Sequence, residues 1–135
     1  MIRLLVVDDH VIVRDGLCRL LEAQSDMLVV GSANGGPSAL DLLINGLKVD
    51  LLLTDLNMPV MDGFALTRQA LADNPNLKVI ILSMVTSNIS QLAAAAGAHG
   101  SLSKDGDTDE LLALIRLIVG ANEHAPVQDA NKAYL

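Results

Sequence analysis

Four short segments end in residues able to bind or transfer charge. LVVDDH, residues 5–10, runs an aliphatic stretch into Asp8 and Asp9. LLLTD, residues 51–55, closes on Asp55; VIILS, residues 79–83, closes on Ser83; SLSKD, residues 101–105, carries Lys104. Adjacent carboxylates repel by ~1 kcal/mol at 4 Å in water and by ~4 kcal/mol where the effective dielectric is about 20. The Asp8-Asp9 pair is therefore either a solvated strand end or a group that faces a cation. If Asp55 joins it, three carboxylates raise one another's pKa values unless a cation compensates. A hard divalent ion suits that donor set, and Mg2+ commonly takes one or two carboxylates together with phosphate oxygens. A carboxylate can also accept a phosphoryl group as an aspartyl phosphate, with an ammonium and a hydroxyl to hold the incoming oxygens.

These residues act together only if the fold gathers their segments. Short apolar runs at Ile2–Val7, Met27–Val30, Asp50–Thr54, Lys78–Leu82 and His99–Leu102 read as strands. The first, third and fourth are nearly continuous in aliphatics, as strands buried on both faces must be. Helical patterns lie between them at 11–23, 37–45, 64–72, 87–96 and 107–119. That alternation predicts an α/β fold with a doubly wound parallel sheet and right-handed crossovers. Gly35-Gly36-Pro37 opens helix two, Asn74-Pro75 closes helix three, and Asp107 with Glu110 forms a capping-box pattern before helix five. In open α/β sheets the functional crevice lies beyond the carboxyl ends of the strands. Asp8, Asp9, Asp55, Ser83 and Lys104 all fall at or just after such ends.

Composition narrows the classes. A chain of 135 residues makes one domain with a core of its own. The lone Cys18 excludes an internal disulfide framework and points to a reducing compartment. No apolar run approaches the ~18 residues of a membrane span, and the first residues do not form a signal peptide. A net charge of −7, with nine scattered Lys and Arg, argues against direct nucleic-acid binding by this chain. Past Gly120 the pattern fades into a polar stretch, a helix end followed by a linker or tail.

The ordered set VVDDH, LLLTDLNMPVMDG, VIILS and GAHGSLSKD resembles the receiver domain of bacterial two-component response regulators, most closely the NarL/FixJ-type branch. The resemblance covers about residues 2–120. It implies a flavodoxin-like, CheY-like sheet of five parallel strands in order 2-1-3-4-5 with five flanking helices. The receiver would span 1–120 and the linker or tail 121–135. Asp55 would be the phosphoacceptor, and Ser83 and Lys104 would contact the phosphoryl group. Asp9 and Asp55 would ligate Mg2+, Asp8 through water and Asn57 through its backbone carbonyl. A sensor histidine kinase would be the donor and the cytoplasm the compartment. The domain would assist its own phosphotransfer and dephosphorylation without being a turnover enzyme. Output in a longer protein would be transcriptional, through a helix-turn-helix domain for which these residues have no room.

Two positions depart from the family pattern. Ser101 stands where a Tyr or Phe usually precedes the lysine by three residues, and the chain's two aromatics, Phe64 and Tyr134, lie elsewhere. From Ser83 to Lys104 is 21 positions, one fewer than the resemblance leads one to expect. Both oddities fall on signal output; the acidic set is intact. Other residues read as structural: Met58-Pro59 and Asp62-Gly63 shape the loop after Asp55, His10 starts a helix, His99 and His124 lack partners for a transition-metal motif, and Cys18 is helix filler. Leu111, Leu114, Ile115, Ile118 and Val119 share one side of helix five and should face the sheet. Leu117 and Ala113 fall on the other flank, where a homodimer contact would form.

Three rival readings remain. The first is a phosphorylation-independent receiver acting as a protein-interaction module. The second is a small aspartyl phosphatase or phosphotransferase, which would want an acid/base carboxylate two residues after Asp55, where Asn57 stands. The third is a flavodoxin-like cofactor binder, which would need phosphate-cradling loops and stacking aromatics that DDHVIV does not offer.

Overall fold

The computed structural model describes residues 1–84 and 89–123, the last three as backbone. Strands β1 (Ile2–Val7), β2 (Met27–Ala33), β3 (Leu51–Asp55), β4 (Lys78–Ser83) and β5 (Gly100–Ser103) alternate with helices α1 (Val11–Glu22), α2 (Gly36–Ile44), α3 (Gly63–Asp73), α4 (Ile89–Ala96) and α5 (Thr108–Glu123). All strands are parallel, in order β2-β1-β3-β4-β5, the order the resemblance implies. The chain steps outward from β1 to β2 and then crosses back to β3. The switch point therefore lies between β1 and β3, the two strands that end in aspartates.

The apolar runs fill both faces because a strand alternates its side chains. Leu5, Val7, Leu52 and Ile81 point one way and pack with Leu66, Ala70 and Ala93 of α3 and α4. Leu4, Val6, Leu51, Leu53, Ile80 and Leu82 point the other way, against Leu21 of α1 and Leu111, Leu112, Ile115 and Val119 of α5. Helix α5 presents the side its apolar spacing predicts: Leu114 and Ile118 join the second cluster, while Leu117 stays 37% exposed.

Two elements run longer than expected. Strand β2 continues past Val30 to Ala33 because Leu4 pairs with Val29 but Leu5 pairs with Gly31. Val30 is the extra residue of a β-bulge, which breaks the two-residue period. At Gly31 a Cβ would stand 3.0 Å from Leu47 Cδ2, so glycine here is a packing choice inside the strand. Helix α5 passes Gly120 and continues to Glu123. The start of helix four at 87, and the tail over 124–135 with His124 and Tyr134, lie outside the described residues.

His99 closes the foot of the β4–β5 pair. Its N–H donates to Val79 O at 2.8 Å, and its ring Nδ1 accepts from the Val79 N–H at 3.1 Å. Burial, and then the neighbouring Lys78 charge, hold its pKa below the usual imidazole value. The unfolded chain therefore binds a proton more readily than the folded one. The stability His99 contributes is complete above about pH 6.5 and is lost as pH falls through its lower folded value. We expect the denaturant midpoint to fall between pH 7 and pH 5. A His99→Leu variant should be less stable at pH 7, with Val79 N–H unpaired, yet show a flatter pH dependence. Equal slopes for the two proteins would remove His99 from this role.

Candidate functional site

Asp8 is held by hydrogen bonds at its N–H, its carbonyl and one carboxylate oxygen, and by an ion pair at the other. Its N–H donates to Ala33 O at 3.1 Å, which ties the end of β1 to the extension of β2. Its carbonyl accepts from Arg14 Nη1 at 2.7 Å. Carboxylate Oδ1 accepts from the backbone N–H of His10 at 2.9 Å, an Asx turn that ends the strand, and Oδ2 stands 2.9 Å from Lys104 Nζ. The residue is 1% exposed. Asp9, next in the chain, is partly open to solvent.

Asp55 ends β3 in the adjacent strand and is 4% exposed. Its Oδ2 lies 3.3 Å from Lys104 Nζ, so one ammonium spans the aspartates of β1 and β3. Burial, together with the Asp8 charge, lifts the Asp55 pKa above the usual carboxylate range, and Lys104 offsets this only in part. Burial pulls Lys104 down, but its bonds and charge attraction to Asp8 and Asp55 outweigh that and raise its pKa. Ser83, buried at the end of β4, lies one residue beyond the Leu82 that pairs with Asp55. Its carbonyl accepts from Lys104 N at 3.0 Å, fixing where the lysine leaves β5. Asn57 is exposed on the loop two residues after Asp55.

That loop is held at both ends. Gly63 N donates to Leu56 O at 2.8 Å, and a Cβ on Gly63 would stand 2.6 Å from Asp55 O, so no larger residue lets α3 begin this close to the acceptor. Asp62, given no chemistry by the sequence, caps α3 by accepting from Ala65 N at 2.9 Å. Between them Met61 N donates to Pro59 O at 2.8 Å, a three-residue turn that forces Val60 to φ +73°. A β-branched side chain is strained there, and Val60 is 95% exposed, so it recovers nothing by packing. We expect Val60→Gly to raise the unfolding free energy by about 1 kcal/mol, less the entropy glycine adds to the unfolded chain. Urea unfolding checks it; a loss of stability would show that the turn carries no strain.

The chemistry of the donor set fits a divalent cation. Two buried carboxylate oxygens, Asp8 Oδ2 and Asp9 Oδ1, accept no directional hydrogen bond. The first has the Lys104 ammonium at ion-pair distance, the second the imidazole of His10 at 3.3 Å. Among the described residues, Asp8, Asp9, Asp55 and His10 each offer a ligand atom within 4.8 Å of the others. The sequence reading gives His10 no role. The Asx turn on Asp8 brings the Nδ1 of His10, two residues on, to 3.2 Å from Asp8 Oδ1, while the rest of the ring stays largely exposed. A cavity of about 600 Å³ opens at the opposite, amino-terminal edge of the sheet, lined by Asp26, Asp50 and Arg116 among others. Its aspartates are paired, Asp26 with Arg116 and Asp50 with Arg3, so they are already neutralised. Among the described residues, no helix is long and apolar enough to cross a membrane.

The family model described as the response regulator receiver domain matches residues 4–116. Response regulator GacA of Pseudomonas viridiflava is 34% identical over 136 aligned positions, covering 100% of this chain and 63% of that protein. The uncharacterized transcriptional regulatory protein YvfU of Bacillus subtilis is 36% identical over 120 positions, covering 88% of this chain and 60% of that one. The chain thus spans about three-fifths of the length of these relatives. Among solved structures, the complex of the P1 domain of CheA3 with CheY6 from R. sphaeroides matches with a TM-score of 0.78 and 32% identity, over 89% of this chain and 98% of that one.

Proposed function

The chain belongs to the response regulator receiver family, and from that premise we propose that it accepts a phosphoryl group on Asp55 from a sensor histidine kinase, with Mg2+ held by Asp8, Asp9, Asp55 and the Asn57 carbonyl. One observation carries the reading: a buried acceptor carboxylate whose Oδ2 lies 3.3 Å from a largely buried ammonium, beside two further aspartates that each have a buried carboxylate oxygen without a hydrogen bond. The match to a CheY6 crystallised with the P1 domain of CheA3 supports a kinase as donor.

In the proposed transfer an Asp55 carboxylate oxygen attacks phosphorus, the N–P bond of a phosphohistidine breaks, and its electron pair returns to the imidazole nitrogen. Burial and the Asp8 charge raise the Asp55 pKa, which makes its carboxylate form a stronger nucleophile than a solvated one. Lys104 already spans Asp8 and Asp55, and holds an ammonium where the phosphoryl oxygens arrive. Mg2+ bound there would supply positive charge to those same oxygens. Asn57, an amide where a turnover phosphatase needs an acid/base carboxylate, favours a lasting mark over catalysis. Ser83 would bond the phosphoryl group and carry the change to α4 and β5.

The chain is then a signalling domain of a cytoplasmic two-component pathway, and regulation of transcription is the output we assign to it. Homodimerisation through the outer flank of α5 would rest on Leu117. A phosphorylation-independent interaction module is the second reading. It is favoured by Ser101, which lines a hollow of about 230 Å³ with Ala93, Ala94 and Gly100 where the family resemblance places an aromatic ring. Intact mass after incubation with a small-molecule phosphodonor and Mg2+ decides between them: one added phosphoryl group is expected, and an unmodified protein that still binds Mg2+ would favour the interaction module.

A further inference from the structure

We propose that the groove between the carboxyl-terminal turns of α2 and α3 binds a small organic cation, an amine carried on a short apolar body. The site lies apart from the acidic pocket and does not depend on it. Helix α3 begins at Gly63, against the Asp55 carbonyl. The groove opens where that helix ends, about 15 Å further along its axis. The cavity measures about 420 Å³, within the range of sites that take small organic ligands. The buried Ala70 lines it from α3; Leu40, Leu43, Ile44 and Leu47 line it from α2 and the turn that follows. Ile44 stays 69% exposed at its rim.

Two features keep the groove open and set the charge it prefers. Helix α2 ends in a Schellman turn: Gly46, at φ +99°, donates its N–H to Leu43 O at 3.1 Å, and Leu47 N donates to Leu42 O at 3.1 Å. The turn folds the chain back and fixes Leu47 as one wall. Helix α3 ends at Asn74, whose N–H donates to Ala70 O at 2.9 Å and whose Oδ1 accepts from Asn76 N at 3.2 Å. Both helices point the negative ends of their dipoles at this place, and neither carries a basic residue in its last turn. Asp73 adds a carboxylate to the lining. Among the described residues it has no ion pair and no side-chain hydrogen bond. Lys48, next in the chain after Leu47, is exposed and does not line the cavity. An apolar slot with three sources of negative charge at its end, and no cation of its own, favours an amine over an alcohol or an acid of the same shape. Leu40 to Ile44 make a single turn, about 6 Å of helix. That track is too short for the i, i+4, i+7 anchors of a docked helix, so the occupant is a small molecule.

An NMR titration of the full chain with hexylamine, hexanol and hexanoate, probes of one shape and different charge, tests this at low ionic strength. Hexylamine should bind in the millimolar range, ~1 mM, and move the backbone amide signals of Leu43, Ile44, Leu47 and Asp73. Hexanol should bind about fivefold more weakly, and hexanoate more weakly still. Asp73→Asn should weaken hexylamine by about threefold to tenfold and leave hexanol within about twofold. Ile44→Lys, a change at an exposed position, puts a cation in the last turn of α2 and should weaken hexylamine by a similar factor; the remaining amide signals report that each variant is folded. Hexanol binding as tightly as hexylamine, or an amine affinity unchanged in both variants, would overturn the proposal, since charge would then play no part. Shifts confined to Asp8, Asp9 and Asp55 would also overturn it, by placing the amine in the acidic pocket as a counter-ion. No shift at the groove up to about 20 mM would show the cavity to be a gap in the packing and no site.

Discussion

Asp55→Asn is expected to abolish phosphoryl uptake while making the metal-free protein more stable. The amide keeps the shape of the carboxylate but cannot attack phosphorus, so incorporation should fall by about a thousandfold or more, to no detectable adduct. The stability gain follows from the sign of the pKa shift. Burial and the Asp8 charge raise the folded-state pKa of Asp55. Its contribution to stability is thus complete below the ordinary carboxylate pKa and is lost as pH rises through the folded value. The ionised form of the side chain is a net cost, since Lys104 is shared with Asp8, which it approaches more closely at 2.9 Å. Removing one of two buried like charges relieves that cost, and the advantage of the variant should shrink below about pH 4, where both proteins carry a neutral group. Intact mass and thermal melts at pH 7 and pH 4, without divalent ions, read both effects. An adduct forming at the wild-type rate would move the acceptor to another residue; a destabilised variant at pH 7 would mean that Lys104 belongs mainly to Asp55.

What the sequence made legible is the part governed by local pattern. Continuous aliphatic runs identify β1, β3 and β4 because parallel strands are covered on both faces, and the polar residue that ends each segment marks the rim where Asp8, Asp55 and Ser83 sit. The path of β2 was not legible in the same way. Its second half, GSA, has the small polar character of a turn, and only pairing with β1 keeps Gly31 to Ala33 extended past the bulge at Val30. The same limit applies within the site. His10 reads as a helix start; a backbone turn closed by the side chain of Asp8 brings its Nδ1 to the rim of the pocket. Arg14, next to Asp15 in the VIVRDGL stretch, has no place in the sequence reading, yet its guanidinium reaches back to the Asp8 carbonyl at 2.7 Å. Asp62 reads as a turn residue and proves to be the cap that starts α3. In each case the missing information is the direction of a side chain set by a turn, which residue type and spacing do not encode.

Lys104→Met should be the most destabilising single change at the site, and its effect should depend on divalent ions. The ammonium lies within 3.3 Å of Asp8 and Asp55, which are 1% and 4% exposed. Methionine fills the same stem but leaves two buried carboxylates facing each other uncompensated. Loss of one partner from a buried ion pair costs about 3–5 kcal/mol, on the order of 10 °C in melting temperature for a domain of this size. A divalent ion bound by the aspartates replaces the lost charge, so Mg2+ should stabilise the Lys104→Met protein more than the wild type, by the linkage between binding and folding. Its affinity for Mg2+ should rise as well, because the ion no longer enters a pocket that already holds a cation. Asp55→Asn in the same chain should recover much of the loss, since it removes one of the two stranded charges; the recovery gives the coupling between the residues directly. Melts of the four proteins with and without Mg2+ measure all of this. If the Lys104→Met protein melts with the wild type and gains no more from Mg2+, the lysine is not what balances the aspartates, and their repulsion must be relieved by protonation. In that case Asp55 would be largely neutral at pH 7, and phosphoryl uptake by the wild type would climb steeply with pH above neutrality. The stability of one variant and the pH profile of one reaction therefore report on the same charge.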